Sequence, residues 1–214
     1  MAEGESGPPV AATKSSAGEK LLWAVLGLAI AGLIAFAAAE RIERSRQPEL
    51  PILARLPEFR LENRDGRKIG LGELAGKPFV ADFVFTSCPG VCPVLSKRLG
   101  ELARELPLDR VNLVSFTVDP ENDTPAALAA YAEKLAAPPQ WYFLTGEKAA
   151  LYSLIRDGFQ LVVDDSKQAA ASDPILHSNR FVLVDADGQI RGYYNAFEPA
   201  ELDQLRQDLR RLLR

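Results

Sequence analysis

Residues 79–106, FVADFVFTSCPGVCPVLSKRLGELAREL, decide the fold. The stretch begins with FVADFVF, Phe79 to Phe85, a short and mostly apolar run that predicts a buried strand. It ends with an amphipathic segment from about Pro93 to Leu106, which predicts a helix. Between the two stand Cys88 and Cys92, the only cysteines in the chain.

The two cysteines lie at the predicted start of this helix. Pro93 suits the first helical position, which places Cys92 at or beside the N-cap. Unpaired amides and the helix dipole stabilise negative charge there, so we expect a lowered pKa for both thiols. A thiolate either ligates a metal or attacks a disulfide, and the spacing is compatible with both chemistries. Two inert, buried thiols are the alternative, but their shared position in one turn favours a site.

The flanking sequence extends the strand–helix pattern. VNLVSFTV, Val111 to Val118, predicts a second buried strand. DPENDTP then opens a helix that Asp123 or Thr124 can cap, with Pro125 at the first helical position. The further predicted elements are a hairpin turning at Asp65-Gly66, a strand WYFLT, a helix EKAALYSLIRDGF, a hairpin around residues 186–188 and a closing helix Pro199–Leu213. This order predicts an α/β domain with a thioredoxin-like sheet.

The N-terminal part of the chain has a different composition. Residues 1–20 are polar and rich in small residues, so we expect them to be disordered. Residues 21–39, LLWAVLGLAIAGLIAFAAA, carry no charge and as a helix would span about 28 Å, which predicts a transmembrane anchor. A signal peptide cleaved near Ala37–Ala39 is the alternative, but signal peptides usually have shorter apolar cores. Residues 40–56 are predicted as a juxtamembrane linker and 57–214 as the folded domain.

Charge excludes one class of partner and leaves the orientation open. A net charge of -4 and a pI near 5.2 argue against nucleic-acid binding. Lys14 and Lys20 precede the predicted anchor, whereas Arg41, Arg44 and Arg46 follow it. This bias of one residue would place the domain in the cytoplasm, but the rule is weak for long translocated domains. The chemistry of the site must decide the side.

His177 is the only histidine, and the initiator is the only methionine. His177 lies on the loop before the second hairpin, and in a thioredoxin-like sheet this loop comes to the same edge as the cysteine turn. Two thiolates and an imidazole suit Cu(I), and with a weak further ligand they also hold Cu(II). Catalytic zinc held by Cys₂His and water is a minor alternative. Asp119 and Asp173 are first interpreted as turn residues.

Three motifs in order resemble the SCO/SenC family of copper-binding proteins. They are FVFTSCPGVCPVLSKRL, with its two cysteines separated by three residues, VSFTVDPENDTP, and HSNRFVLVDADGQIRGYY with the histidine. The resemblance covers about residues 57–214. It implies a thioredoxin fold and a single-pass inner-membrane protein whose soluble domain faces the periplasm or another extracytoplasmic space. It also implies that Cys88, Cys92 and His177 bind copper and that the partner is subunit II of cytochrome c oxidase, where the CuA centre is assembled.

One position departs from the family pattern, and two other functions stay open. Many members carry Asp before the histidine, where this chain has Leu176; Asp173 could substitute, although its first interpretation is a turn residue beside Pro174. The chain is predicted to be a copper chaperone. The alternatives are a thiol-disulfide oxidoreductase, which would prepare the cysteines of the target, and a copper or redox sensor. Dithiol reductases usually use Cys-x-x-Cys, so the longer spacing favours copper.

Overall fold

The structure is a computed structural model that describes residues 17–45, 49–161 and 179–214. The chain divides into two compact units, Met1–Glu49 and Leu50–Arg214. Of residues 1–20, which were predicted to be disordered, residues 1–16 lie outside the described part and residues 17–20 are helical. Residues 162–178, which include Asp173, Leu176 and His177, also lie outside the described part.

The first unit contains one long helix, α1, Ala17–Ser45. Within it, the 20 residues Lys20–Ala39 have a mean hydropathy of 2.5, and they are long and apolar enough to cross a membrane. At 1.5 Å per residue they extend about 30 Å, the thickness of a hydrocarbon core. The predicted apolar helix is therefore confirmed as a candidate membrane span. The helix runs on to Ser45, into the segment predicted as a linker.

The second unit is built on one sheet of eight strands, in the order β1-β8-β7-β4-β5-β6-β2-β3. The strands are β1 Ala54–Arg55, β2 Arg60–Asn63, β3 Lys68–Gly70, β4 Phe79–Val84, β5 Asn112–Thr117, β6 Trp141–Thr145, β7 Arg180–Val184 and β8 Gln189–Asn195. The three strands β4, β5 and β6 are parallel, and β7 returns antiparallel beside β4. Both predicted hairpins are present, as β2–β3 and β7–β8.

The central strands are buried on both faces. Every residue of β4 and of β5 is buried, which explains why both read as continuous apolar runs rather than alternating patterns. Their register is continuous from Phe79 opposite Asn112 to Val84 opposite Thr117. The carboxyl ends of β4 and β5 therefore finish side by side at one edge of the sheet.

Helices cover the two faces of this sheet. They are α2 Leu71–Leu74, α3 Val91–Glu105, α4 Pro125–Lys134, α5 Lys148–Ser153 and α6 Pro199–Leu212. The buried face of α3 follows the helical period from Cys92 through Leu95 and Leu99 to Leu102. Thr124 caps α4 by accepting a hydrogen bond from the Ala127 amide at 3.3 Å, which confirms one of the two predicted caps.

Two helix predictions need correction. Helix α3 begins at Val91, two residues before the predicted start, so Cys92 lies inside its first turn and Gly90 occupies the N-cap without a side-chain cap. The helix predicted over EKAALYSLIRDGF is α-helical only to Ser153. A π-helical turn, Leu154–Gly158, follows it. Such turns leave no clear trace in the apolar period of a sequence.

One acidic side chain is buried in the centre of the sheet. Asp82 on β4 is 0% exposed, and its Oδ1 accepts a hydrogen bond from the Ser115 hydroxyl at 2.5 Å. Ser115 in turn accepts one from the Trp141 indole at 2.8 Å. Among the described residues, Asp82 Oδ2 has no partner. Burial raises the pKa of Asp82 to about 7, although the Ser115 hydrogen bond opposes the shift.

This raised pKa predicts a stability loss as the pH rises from about 4 to about 7, because the unfolded chain gives up the Asp82 proton at the lower pH. Asp82→Asn removes this dependence. We expect the variant to gain stability relative to the unmutated chain with rising pH, by at most about 4 kcal/mol at pH 8. Urea unfolding of the full-length chain in detergent, followed by Trp141 fluorescence in a Trp23→Phe background, measures the difference.

Asp109→Asn is the control for this experiment, because Asp109 is an exposed aspartate in the same domain. Its stability difference from the parent chain should stay constant from pH 4 to pH 8. A pH-independent difference for Asp82→Asn would contradict the assignment of a proton to the buried carboxyl group.

Candidate metal centre

The two cysteines are brought together at the start of α3. The Cys88 amide donates to the Phe85 carbonyl at 3.2 Å, which closes a tight turn directly after β4. The Cys92 amide donates to Cys88 Sγ at 3.4 Å. The Cys88 sulfur thus accepts from one of the free amides in the first turn of the helix, where no side chain caps Gly90. Both residues are free thiols in the structure.

The lowered pKa predicted for both thiols is wrong for Cys92. Burial raises the pKa of Cys92, whose residue is only 5% exposed, and a hydrogen bond with Cys88 raises it further. The negative charges of Cys88 and Asp82 act in the same direction, while a backbone hydrogen bond from Phe85 opposes them. The prediction considered the helix terminus alone; the dominant effect is desolvation, because α3 packs Cys92 against the sheet.

The sheet register brings a third part of the chain to the same edge. Strand β7 runs antiparallel to β4, with Val182 opposite Ala81 and Val184 opposite Phe79. Its first residue, Arg180, therefore lies beside the carboxyl end of β4, where the cysteine turn begins. Asn179, which precedes it, is held there because its carbonyl accepts the Ala196 amide at 2.6 Å.

Asp123 is a site residue that the sequence analysis considered only as a helix cap. It is 0% exposed, and both of its carboxylate oxygens accept hydrogen bonds. Oδ1 accepts from the Thr86 hydroxyl at 2.5 Å and from the Thr86 amide at 3.1 Å; Oδ2 accepts from the Thr117 hydroxyl. Asp123 therefore links Thr86, which follows β4 and lies two residues before Cys88, to Thr117 at the end of β5. Thr124, the next residue, is the N-cap of α4. Two adjacent capping candidates, of which a helix needs only one, were the one sequence feature that could have indicated another role for Asp123.

Asp119 has the turn role that was expected. Its amide donates to Thr117 Oγ1 at 3.0 Å, and its carbonyl accepts the amides of Asn122 and Asp123. Its carboxylate accepts from the Asn122 side chain at 2.9 and 3.1 Å. These contacts fold the loop between β5 and α4 and carry Asp123 back towards Thr86.

Of the three predicted metal ligands, Cys88 and Cys92 are together, and His177 lies outside the described residues. Within residues 17–45, 49–161 and 179–214, no cluster of three His, Cys, Asp or Glu side chains could hold a metal ion. The described part of the site therefore offers two soft sulfur donors, which suit Cu(I) or zinc.

Comparison with known proteins is consistent with this arrangement. The SCO1/SenC family model matches residues 53–214. The chain is similar to the SCO1 protein homolog of Bacillus subtilis (strain 168), with 30% identity over 164 residues, which cover 75% of this chain and 83% of the relative.

Solved structures agree with the fold. BsSco, described as a member of the Sco family of cytochrome c oxidase assembly proteins with a disulfide switch, superposes with a TM-score of 0.67 and 29% identity, over 77% of this chain and 98% of that one. Copper-bound ScoI of Bradyrhizobium japonicum superposes with a TM-score of 0.62 and 27% identity, over 74% and 99%. The predicted thioredoxin-like α/β fold is confirmed.

The burial of Cys92 predicts unequal reactivity of the two thiols. In the reduced full-length chain in detergent, iodoacetamide should modify Cys88 first and Cys92 roughly tenfold more slowly or worse, because the reagent needs an accessible thiolate. Peptide mass spectrometry over a time course gives the two rates. In urea the rates should converge. Equal rates in the folded chain would mean that Cys92 is not enclosed as described.

Proposed function

The chain belongs to the SCO1/SenC family, and from this premise we propose that it is a membrane-anchored copper chaperone. In this proposal, one copper ion is the cargo, and it is bound through Cys88, Cys92 and His177. Members of this family act in the assembly of cytochrome c oxidase, as the description of BsSco states, and ScoI of Bradyrhizobium japonicum has been solved with copper bound.

One observation carries the proposal: the antiparallel register of β7 with β4. It puts Arg180 and Asn179 at the edge where the cysteine turn lies. His177 is two residues before Asn179, and two residues extend at most about 7 Å. The histidine is therefore covalently tethered to the edge that bears both sulfurs, which supports it as the third ligand.

The donor set favours copper over other metals. Two sulfurs and one imidazole are soft enough for Cu(I), and a tetragonal Cu(II) complex needs only a weak additional ligand such as water. Structural zinc sites usually provide four protein ligands. A carrier also has to release its ion, and a site with three protein ligands at a sheet edge leaves an open position through which an acceptor ligand can attack.

Copper binding by the reduced full-length chain in detergent tests the proposal. We expect one Cu(I) per chain and, with Cu(II), a thiolate-to-metal charge-transfer band. Replacing Cys88, Cys92 or His177 by Ala should weaken Cu(I) binding by more than about 100-fold, since even the loss of a group that only supports a ligand costs roughly 10–100-fold. Competition with a chromophoric Cu(I) chelator measures each affinity.

Lys97→Ala provides the control, because Lys97 is exposed on α3 and its side chain has no part in the proposed site. It should bind copper as the parent chain does. Full copper occupancy in His177→Ala would show that the histidine is not a ligand. Equal copper affinity of the disulfide form would show that the thiolates are not ligands.

A second function is a thiol-disulfide oxidoreductase. Two observations favour it: both cysteines are free thiols held by the Cys92 amide contact to Cys88 Sγ, and the related BsSco is described as having a disulfide switch. The two roles exclude each other in one molecule at one time, because a disulfide has no thiolates to offer. Turnover of disulfide substrates by the copper-free chain, unchanged by His177→Ala, would favour this function.

The membrane layout and the receiving protein complete the proposal. Residues 21–39 form a single-pass inner-membrane anchor, and the domain that carries the cysteines faces the extracytoplasmic side, where a CuA centre is assembled. The proposed acceptor is subunit II of cytochrome c oxidase. The exposed apolar surface of Lys20–Ala39 supports the anchor.

A further inference from the structure

We propose that Asp123 is a positioning residue of the copper site, which fixes the turn bearing Cys88 relative to Cys92 by anchoring Thr86. The inference rests on the proposed copper function. It concerns a side chain that contacts neither sulfur in the described structure, and it follows from how the residues before Cys88 are held.

Thr86 is the residue through which the loop after β5 holds the turn between β4 and α3. Thr86 is the second residue after β4, and both its amide and its hydroxyl donate to Asp123, at 3.1 and 2.5 Å. The next backbone contact along the turn is the Cys88 amide to the Phe85 carbonyl at 3.2 Å. Phe85 and Thr86, three and two residues before Cys88, are thus fixed, the first through its backbone carbonyl and the second by Asp123.

Asp123 is itself held in place by the loop that bears it. Its amide donates to the Asp119 carbonyl at 2.8 Å, and its Oδ2 accepts the Thr117 hydroxyl. Thr124 caps α4 directly after it. The loop that bears the carboxylate joins β5 to α4, and the carboxylate reaches across to the end of β4. The position of Thr86 is therefore fixed relative to the sheet.

Because Asp123 is buried, its carboxylate depends on hydrogen bonds from the protein. A carboxylate without exposure to water is stable only when its oxygens are well supplied with donors, and hydrogen bonds to a charged acceptor are the strong ones. Thr86 and Thr117 supply three donor groups between them. Loss of the carboxylate leaves the buried Thr117 hydroxyl and the half-buried donors of Thr86 without this acceptor. The turn would then relax, and Cys88 Sγ would move relative to the Cys92 amide, from which it accepts a hydrogen bond.

Three variants test the role in the full-length chain. Asp123→Ala removes all acceptors, and we expect Cu(I) affinity to fall roughly 10–100-fold. Thr86→Val keeps the amide contact and loses the hydroxyl, so the loss should be smaller and in the same direction. Asp123→Asn retains an oxygen for Thr86 and should restore most of the affinity. The position of the Cu(II) charge-transfer band should shift in Asp123→Ala and return in Asp123→Asn.

A copper-free measurement separates this inference from the proposed function. In Asp123→Ala, the alkylation rate of Cys92 by iodoacetamide should rise about tenfold relative to the parent chain, because Cys88, whose side chain is hydrogen-bonded to Cys92, is no longer held beside it. Asp208→Asn is the matched control: Asp208 is also buried, 6% exposed, and it also accepts hydrogen bonds from three donor groups, on Tyr194, Gln204 and Arg211. It should lower thermal stability and leave the cysteines unchanged.

The outcomes distinguish the two proposals. Parent-like copper affinity and alkylation in Asp123→Ala overturn the positioning role, and so do equal changes in Asp208→Asn, which would mean general destabilisation. If the parent chain binds no copper but Asp123→Ala still exposes Cys92, the copper function fails and the positioning of the turn stands. If Asp123→Ala does not fold, Thr86→Val and Asp123→Asn provide the same comparison.

Discussion

The parallel pairing of β4 with β5 is the constraint on which the rest of the domain depends. It aligns Val84 with Thr117, so both strands end at one edge, and the Val118 amide donates to the Val84 carbonyl at 2.9 Å to extend the pairing. The parts of the candidate site meet at this edge: the cysteine turn leaves β4 there, Asp123 reaches across from the loop after β5, and β7 starts there. Parallel strands end at the same edge of a sheet because they run in the same direction, and the connection between them crosses a face of the sheet.

Much of the fold could be predicted because the deciding patterns are local. The apolar runs of β4 and β5 and the two hairpin turns are visible in the sequence and are confirmed. The start of α3 was misplaced by two residues because Pro93 is compatible with the third helical position as well as the first. Strand β1, Ala54–Arg55, has two residues and no pattern of its own; it exists because β8 offers an edge to pair with.

The candidate site was less predictable, because its electrostatics depend on packing. The positions of Cys88 and Cys92 follow from the sequence, but the pKa of Cys92 depends on how deeply α3 buries its first turn, and no sequence period reports depth. The role of Asp123 depends on its contact with Thr86, which is 37 positions away in the sequence. The involvement of His177 stays a prediction, supported by the position of Asn179 and Arg180 at the cysteine edge.

Asp82 and Asp123 show how the number of donors gives two buried carboxyl groups different roles. Both are 0% exposed and both lie next to the β4–β5 pair. Asp82 Oδ1 accepts from the Ser115 hydroxyl, whereas Oδ2 has no partner among the described residues, so burial raises the pKa of Asp82 and favours the neutral form. Asp123 receives the Thr86 amide and two hydroxyls, which spread over both oxygens. A carboxylate bonded on both oxygens resists displacement in every direction, which apolar packing alone does not provide, and it stands where the chain has to hold a sulfur in place.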